Sequence, residues 1–169
     1  ENKGWTVAKY LLGHERTNNA QVASSKKALS KIRKIAKLKI NGTYSLSEDK
    51  RFIDKLANCD LRVQALEYDL IKVISNEIKG ISPGVEANML KIRGSEIQQE
   101  ITELVLEASG YYANSIQNNI IEIGMNEPKV GPSWTSTSAQ KYFDMRKTTI
   151  YAGSTEIQKN ILAKMVLEL

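Results

Sequence analysis

Apolar residues recur along most of this chain at steps of three and four, the spacing that places side chains on one face of an α-helix. The clearest run is Phe52, Leu56, Cys59, Val63, Leu66, Leu70 and Val73, which predicts a long amphipathic helix over about 48–78. Leu90, Ile97, Ile101, Leu104 and Ala108 predict another over about 85–109, with Gly94 in its core-facing region. An interior glycine costs on the order of 1 kcal/mol relative to alanine, so a close helix crossing is expected there. Upstream, one helix candidate covers about 4–39. Trp5, Ala8, Leu11 and Leu12 form its first apolar patch, and Val22, Leu29, Ile32 and Ile35 its second. The intervening residues 13–19 carry no large apolar side chain, which marks either a polar pocket or an exposed turn. Ile157, Ile161, Met165 and Leu169 define a last helix over about 154–169.

Breakers separate these runs. Asn41-Gly42 ends the first, and residues 43–47 form a linker. Ser45 with Glu48 has the form of a capping box, and Ser47 with Lys50 is the other bracket for the next start. Gly80, Pro83 and Gly84 close the second helix and open the third. Residues 110–136 read as irregular, with a short helix over about 115–123, and a second short helix is expected over about 136–143. A loop this long is either functional or packed against something else. Four long or medium helices with short connections predict an all-α protein, an antiparallel four-helix bundle.

One stretch, residues 147–158, departs from the bundle pattern. The β-branched run Thr148-Thr149-Ile150 favours extended backbone. Gly153 permits a sharp change of direction. Thr155 with Gln158 has the form of a second capping box, and the last helix follows. The free N–H groups of such a helix start suit a phosphate or another acceptor-rich ligand. A plain loop-to-helix junction is the alternative, and most junctions bind nothing.

Composition narrows the chemistry. At 169 residues the chain makes one domain with a sizeable core. No apolar run approaches a membrane span, and the N-terminus has no signal-like apolar segment. The chain begins at Glu1 without a methionine, so a longer natural protein is expected. The lone cysteine, Cys59, rules out an internal disulfide framework, fits a reducing, cytoplasmic setting, and falls on an apolar face as core filling. The net charge of +5 is concentrated in Lys26, Lys27, Lys31, Arg33, Lys34, Lys37 and Lys39. A nucleic-acid surface is one reading. However, Leu29, Ile32, Ala36 and Leu38 interleave at helical spacing and no aromatic residue punctuates the run, which favours a solvated face beside a core stripe. One histidine, His14, and one cysteine cannot build a metal site or a nucleophile–base pair. Glu15 beside Arg16, in the polar interruption, is the remaining candidate. A carboxylate between greasy helices has a raised proton affinity and can act as a base, while a surface ion pair is the plainer reading.

Three segments together resemble the C-terminal helical domain of acyl-CoA dehydrogenases. Residues 4–17 (GWTVAKYLLGHERT) are similar to that domain's first helix, residues 90–99 (LKIRGSEIQQ) to its third, and residues 150–164 (IYAGSTEIQKNILAK) to its closing arm and last helix. The nearest branch by these motifs is the bacterial one of pimeloyl-CoA dehydrogenase large subunits and related steroid or branched-acyl enzymes. The resemblance implies α,β-dehydrogenation of an acyl-CoA thioester, in which a glutamate removes the α-proton while the β-hydrogen passes as hydride to FAD. It also implies electron-transfer flavoprotein as oxidant, and a homo- or hetero-tetramer assembled through the helical domain. No nucleic-acid or membrane partner is implied.

Many relatives place the base immediately before the arm glycine, where this chain has Ala152, which takes no proton. A second group, including isovaleryl- and long-chain-type enzymes, carries it in the first helix before an arginine. Glu15 matches that position, with Arg16 supporting it. By the same resemblance Tyr151 and Gly153 meet the thioester end of the substrate, and Ser154, Thr155 and Glu156 meet the flavin nucleotide. Ser109 and Gly110 occupy a Gly-Gly turn that faces a neighbouring subunit's FAD. The diphosphate-binding Arg-x-x-Phe-Gly motif is replaced by Ile40-Asn41-Gly42-Thr43-Tyr44, and an aspartate two residues before the base is Gly13. The resemblance further implies that residues 1–169 are one domain of a longer flavoenzyme, and that this polypeptide by itself is colourless and inactive. Two other readings remain: a non-catalytic subunit domain of a heteromeric dehydrogenase, and a basic nucleic-acid-binding module.

Overall fold

The computed structural model describes residues 2–18, 20–40, 44–81, 84–117 and 128–168, with backbone alone at 9, 12–17, 40 and 44. Six α-helices occur among them: α1 (Gly4–Asn18), α2 (Val22–Ala36), α3 (Lys50–Ile78), α4 (Glu86–Ser109), α5 (Ser138–Asp144) and α6 (Thr155–Val166). A minimal antiparallel ladder pairs Lys39 with Ser45 and Ile40 with Tyr44 across the Asn41-Gly42 breaker. The protein is all-α, and the bundle pattern read from the sequence holds.

Helix α4 lies at the centre, packed against α1, α2, α3, α5 and α6. Its apolar stripe, Leu90, Ile97, Ile101, Leu104 and Ala108, meets Phe52, Leu56, Cys59, Val63, Leu66 and Val73 of α3 and Leu29, Ile32, Ile35 and Ala36 of α2 in one core. Gly94 is buried inside α4. Ion pairs at the edges run between neighbours: Arg62 with Glu96 and Glu100, Arg93 with Asp69, and Arg51 and Lys55 with Glu107. Each contributes at most about 1 kcal/mol at such exposure, so they fix register more than stability.

Several boundaries differ from the sequence reading. The continuous helix expected over 4–39 is broken at Gln21, whose φ of 50° turns the chain between α1 and α2. The Gln21 amide holds the turn by donating to the Asn18 carbonyl at 2.9 Å. Ser45 and Glu48 do meet, at 3.2 Å, but across a short 3₁₀ turn, Leu46–Glu48. Helix α3 is instead capped by Asp49, whose carboxylate accepts from the Arg51 and Phe52 N–H groups. Residues 115–117 are not helical, and 118–123 of that expected short helix lie outside the described residues. The basic run sits on an exposed face of α2. Lys26 pairs with Glu67 and Arg33 with Asp60, while Leu29, Ile32 and Ala36 are buried and Leu38 is exposed. That is the solvated face beside a core stripe.

Cys59 is fully buried, and burial, reinforced by the charge of Glu100, pushes its thiol up to about 12. The unfolded thiol titrates near 9. A folded-state value above the unfolded one gives stability that is complete below pH 9 and declines as pH rises from 9 toward 12. Native protein at pH 8 is expected to resist thiol-alkylating reagents, with labelling appearing only on unfolding; rapid native labelling would contradict the buried placement.

Candidate functional site around the late turn and the start of α6

The segment expected to be an extended arm is a 3₁₀ turn, Met145–Thr149, followed by Ile150 at φ −107°, ψ −52°. Its cause is a clamp from α4. The Gln99 side-chain amide shares its two N–H groups among the carbonyls of Met145 and Arg146 and the hydroxyls of Thr148 and Thr149, at 3.1–3.3 Å. Lys91 Nζ donates to the Thr148 carbonyl at 3.0 Å. Arg146 reaches back, donating to the Gln99 carbonyl at 3.0 Å and to Thr102 Oγ1 at 3.2 Å, and stacks over the Tyr142 ring at 4.2 Å. Thr148 Oγ1 donates to the Met145 carbonyl at 2.8 Å. Strand propensity spans only about 1 kcal/mol, and several tertiary hydrogen bonds outweigh it.

Gln99→Ala is expected to cost about 2 kcal/mol, because the turn's acceptors lose a shared donor in a half-buried place. Chemical denaturation would read that loss. A midpoint unchanged from wild type would show that the turn holds itself.

After the turn the backbone enters the left-handed region twice, at Ala152 (φ 54°) and Gly153 (φ 87°), and then starts α6. The cap is Ser154, whose hydroxyl accepts from the Ile157 N–H at 3.4 Å. The expected Thr155–Gln158 capping box is therefore displaced by one residue. Thr155 and Gln158 are buried instead, and Thr155 Oγ1 and Gln158 Oε1 have no hydrogen-bond partner among the described residues. The predicted apolar stripe of α6 is not its buried face, since Ile157 and Met165 are exposed. Glu156 is exposed at the helix start, where its own backbone N–H, then the Ser154 hydroxyl, hold its carboxyl below the usual carboxylate range.

Beneath the turn, Lys91, Ser95, Gln98, Thr148 and Tyr151 line a small polar recess. Lys91 is buried, and that desolvation lowers its pKa, partly offset by the negative charge of Glu156. Tyr151, Gly153 and Glu156 are exposed and Ser154 is half-buried along this stretch, while Thr155 is buried between them. Ser109 and Gly110 stand at the other end of α4. The Ser109 hydroxyl is buried and donates to the Val105 carbonyl at 2.8 Å, while Gly110 (φ 51°) borders open space. Glu15 and Arg16 lie on the backbone of α1, but their side chains are outside the described residues. What the backbone gives is that α1, the 3₁₀ turn and α6 all pack on α4.

The sequence reading missed the clamp. Asn88, Lys91, Ser95, Gln99 and Thr102 fall at helical spacing on α4, and the first three are buried. A polar stripe opposite an apolar one normally faces water. Here the helix is central, so the polar stripe is covered too, and it binds the backbone that covers it.

The class of the domain is thus an all-α bundle whose central helix grips the late turn, with the last helix packed against the same helix. The chain belongs to the acyl-CoA dehydrogenase family: the model of its C-terminal domain matches residues 2–167. No curated protein matches the chain by sequence. Among solved structures, butyryl-CoA dehydrogenase from Megasphaera elsdenii is 22% identical, with a TM-score of 0.73 over 99% of this chain and 39% of its own. The ChsE4-ChsE5 complex from Mycobacterium tuberculosis contains a chain 23% identical, with a TM-score of 0.76 over 100% of this chain and 42% of that one. A structure of the electron transferring flavoprotein of Acidaminococcus fermentans contains a chain 17% identical, with a TM-score of 0.76 over 100% and 40%. These likenesses show the fold, and this chain spans about two-fifths of the length of the chains it matches.

Proposed function

We propose that residues 1–169 form the C-terminal helical domain of a longer flavin-dependent dehydrogenase that introduces an α,β double bond into an acyl-CoA thioester. The observation that carries this reading is the family match over 2–167; by the resemblance, Ala152 in the left-handed turn stands where many relatives carry an acid. A methyl group accepts no proton, so the base comes from elsewhere. Glu15 on α1, which shares α4 with the turn, removes the α-proton, and Arg16 supports its charge. Tyr151 and Gly153 position the thioester end of the substrate.

FAD, as the hydride acceptor, would be held by Ser154, Thr155 and Glu156, with Ser109 and Gly110 toward a neighbouring subunit's flavin. Two features suit it: among the described residues the buried Thr155 hydroxyl has no partner, and nothing stands against Gly110. The anionic Glu156 suits a hydroxyl or amine donor of such a nucleotide better than its phosphates.

The finer reading places the enzyme in the pimeloyl-CoA-like bacterial branch, in the cytoplasm, with electron-transfer flavoprotein as oxidant. Among the described residues no helix is long and apolar enough to cross a membrane. Leu61, Tyr68, Ile71 and Ile78 form an exposed stripe along α3, which supports assembly into a homo- or hetero-tetramer through this domain. The second reading, a non-catalytic subunit domain, draws on the similarity to a chain of the two-component ChsE4-ChsE5 complex. Glu15→Gln in the intact enzyme decides between them. Loss of dehydrogenation with flavin retained supports the first, and undiminished turnover supports the second.

A further inference from the structure

A second pocket lies away from the late turn, between α2, the middle of α4 and the approach to α5. Its floor is apolar: Ala28, Ile32 and Ile35 from α2, Ile101 and Val105 from α4, and the indole of Trp134. Its volume is about 200 Å³. A closed apolar cavity of ~150 Å³ holds benzene, so this space accepts a compact hydrocarbon body. Ala28 to Ile35 runs about 10 Å along the helix axis, long enough for a medium acyl chain.

The polar groups at this pocket share one property. Lys31 and Lys141 stand at its rim, both exposed and neither in an ion pair among the described residues. Trp134 Nε1 is buried, with no hydrogen-bond partner among the described residues. Two of its three hydroxyls already have partners: Ser138 donates to the Thr135 carbonyl at 2.7 Å, and Thr102 donates to the Gln99 carbonyl at 2.8 Å, while Thr137 is the third. Among the described residues no carboxylate lines the pocket. What remains is two cations at the rim, outside any ion pair among the described residues, above a greasy floor. A neutral hydrocarbon leaves the donors unanswered, and a cation is repelled.

We propose that this groove binds a small carboxylate with an apolar body, such as a free medium-chain or aromatic acid, its head group between Lys31 and Lys141 and its body against the Trp134 indole. Such binding needs neither flavin nor the Tyr151–Gly153 turn. Trp134 serves as its own reporter once the other tryptophan is removed by Trp5→Phe. Titration of the full chain with octanoate is expected to give a saturable change in Trp134 fluorescence. Lys31→Glu with Lys141→Glu is expected to weaken it by at least roughly tenfold, and octanol and octylammonium to bind more weakly than octanoate. Ala28→Phe, which fills the floor and leaves both lysines, is expected to abolish the change while circular dichroism shows a folded bundle. No saturable signal with octanoate, equal binding of octanol, or full affinity in the charge-reversed or filled-groove protein would overturn the proposal. None of these outcomes bears on Glu15.

Discussion

Glu15→Gln is expected to lower the rate of acyl-CoA dehydrogenation by about 10²–10⁴-fold, the usual contribution of a positioned base. Glutamine keeps the size and polarity of the side chain and removes only its capacity to take a proton. A base acts in the transition state and not in the bound ground state, so kcat falls while KM stays near its original value. Flavin content, read from absorbance, stays intact because the residues proposed to hold it lie on α6 and at the end of α4. The acid side of the pH–rate profile disappears with the carboxylate. Turnover within tenfold of wild type, with an unchanged pH profile, would remove Glu15 from the mechanism. Ala152 cannot take over, since its methyl group has no lone pair.

Gly153→Ala is expected to destabilise the protein by about 2 kcal/mol, seen as a drop of roughly 4–8 °C in Tm for a chain of this size. Two effects act in the same direction. A φ of 87° lies where an L side chain is strained. An added Cβ would also fall on Gln158 Nε2, with no room between them. Gln158 is buried, so its amide cannot swing freely into solvent. Its displacement would pull on the first turn of α6 and on the Ser154 cap. An unchanged Tm would mean that the turn is looser than its packing implies. In the intact enzyme the same change is expected to reduce turnover as well, because Gly153 and Tyr151 are the residues proposed to meet the thioester.

The sequence and the structure agree where an apolar period is long and one-sided. Phe52 to Val73 read as a helix face because water on one side and hydrocarbon on the other impose the 3.6-residue repeat, and α3 buries that face. They part at short segments. Thr148-Thr149-Ile150 has strand propensity, yet Gln99, Lys91 and Arg146 bend it into a 3₁₀ turn from more than forty residues away in the chain. The break at Gln21 is similar. The polar residues 13–19 mark an interruption, but a left-handed glutamine is a rare way to make one. Thr155 and Gln158 had capping-box spacing, but the cap falls one residue earlier because Gly153 delivers Ser154, not Thr155, in extended backbone.

By itself, then, the sequence determined an all-α bundle, its long helices, a glycine hinge ahead of the last one, and through its motifs the family. Those features depend on local spacing and on residue types with strong backbone preferences, which neighbours in the chain express directly. The tertiary structure alone decided that α4 is central, that its polar stripe grips the turn, and that Thr155 and Gln158 are buried where an apolar stripe was expected to be. Such features depend on which helix covers which face, and a hydrogen bond between Lys91 and Thr148 exists only after the bundle has closed around both.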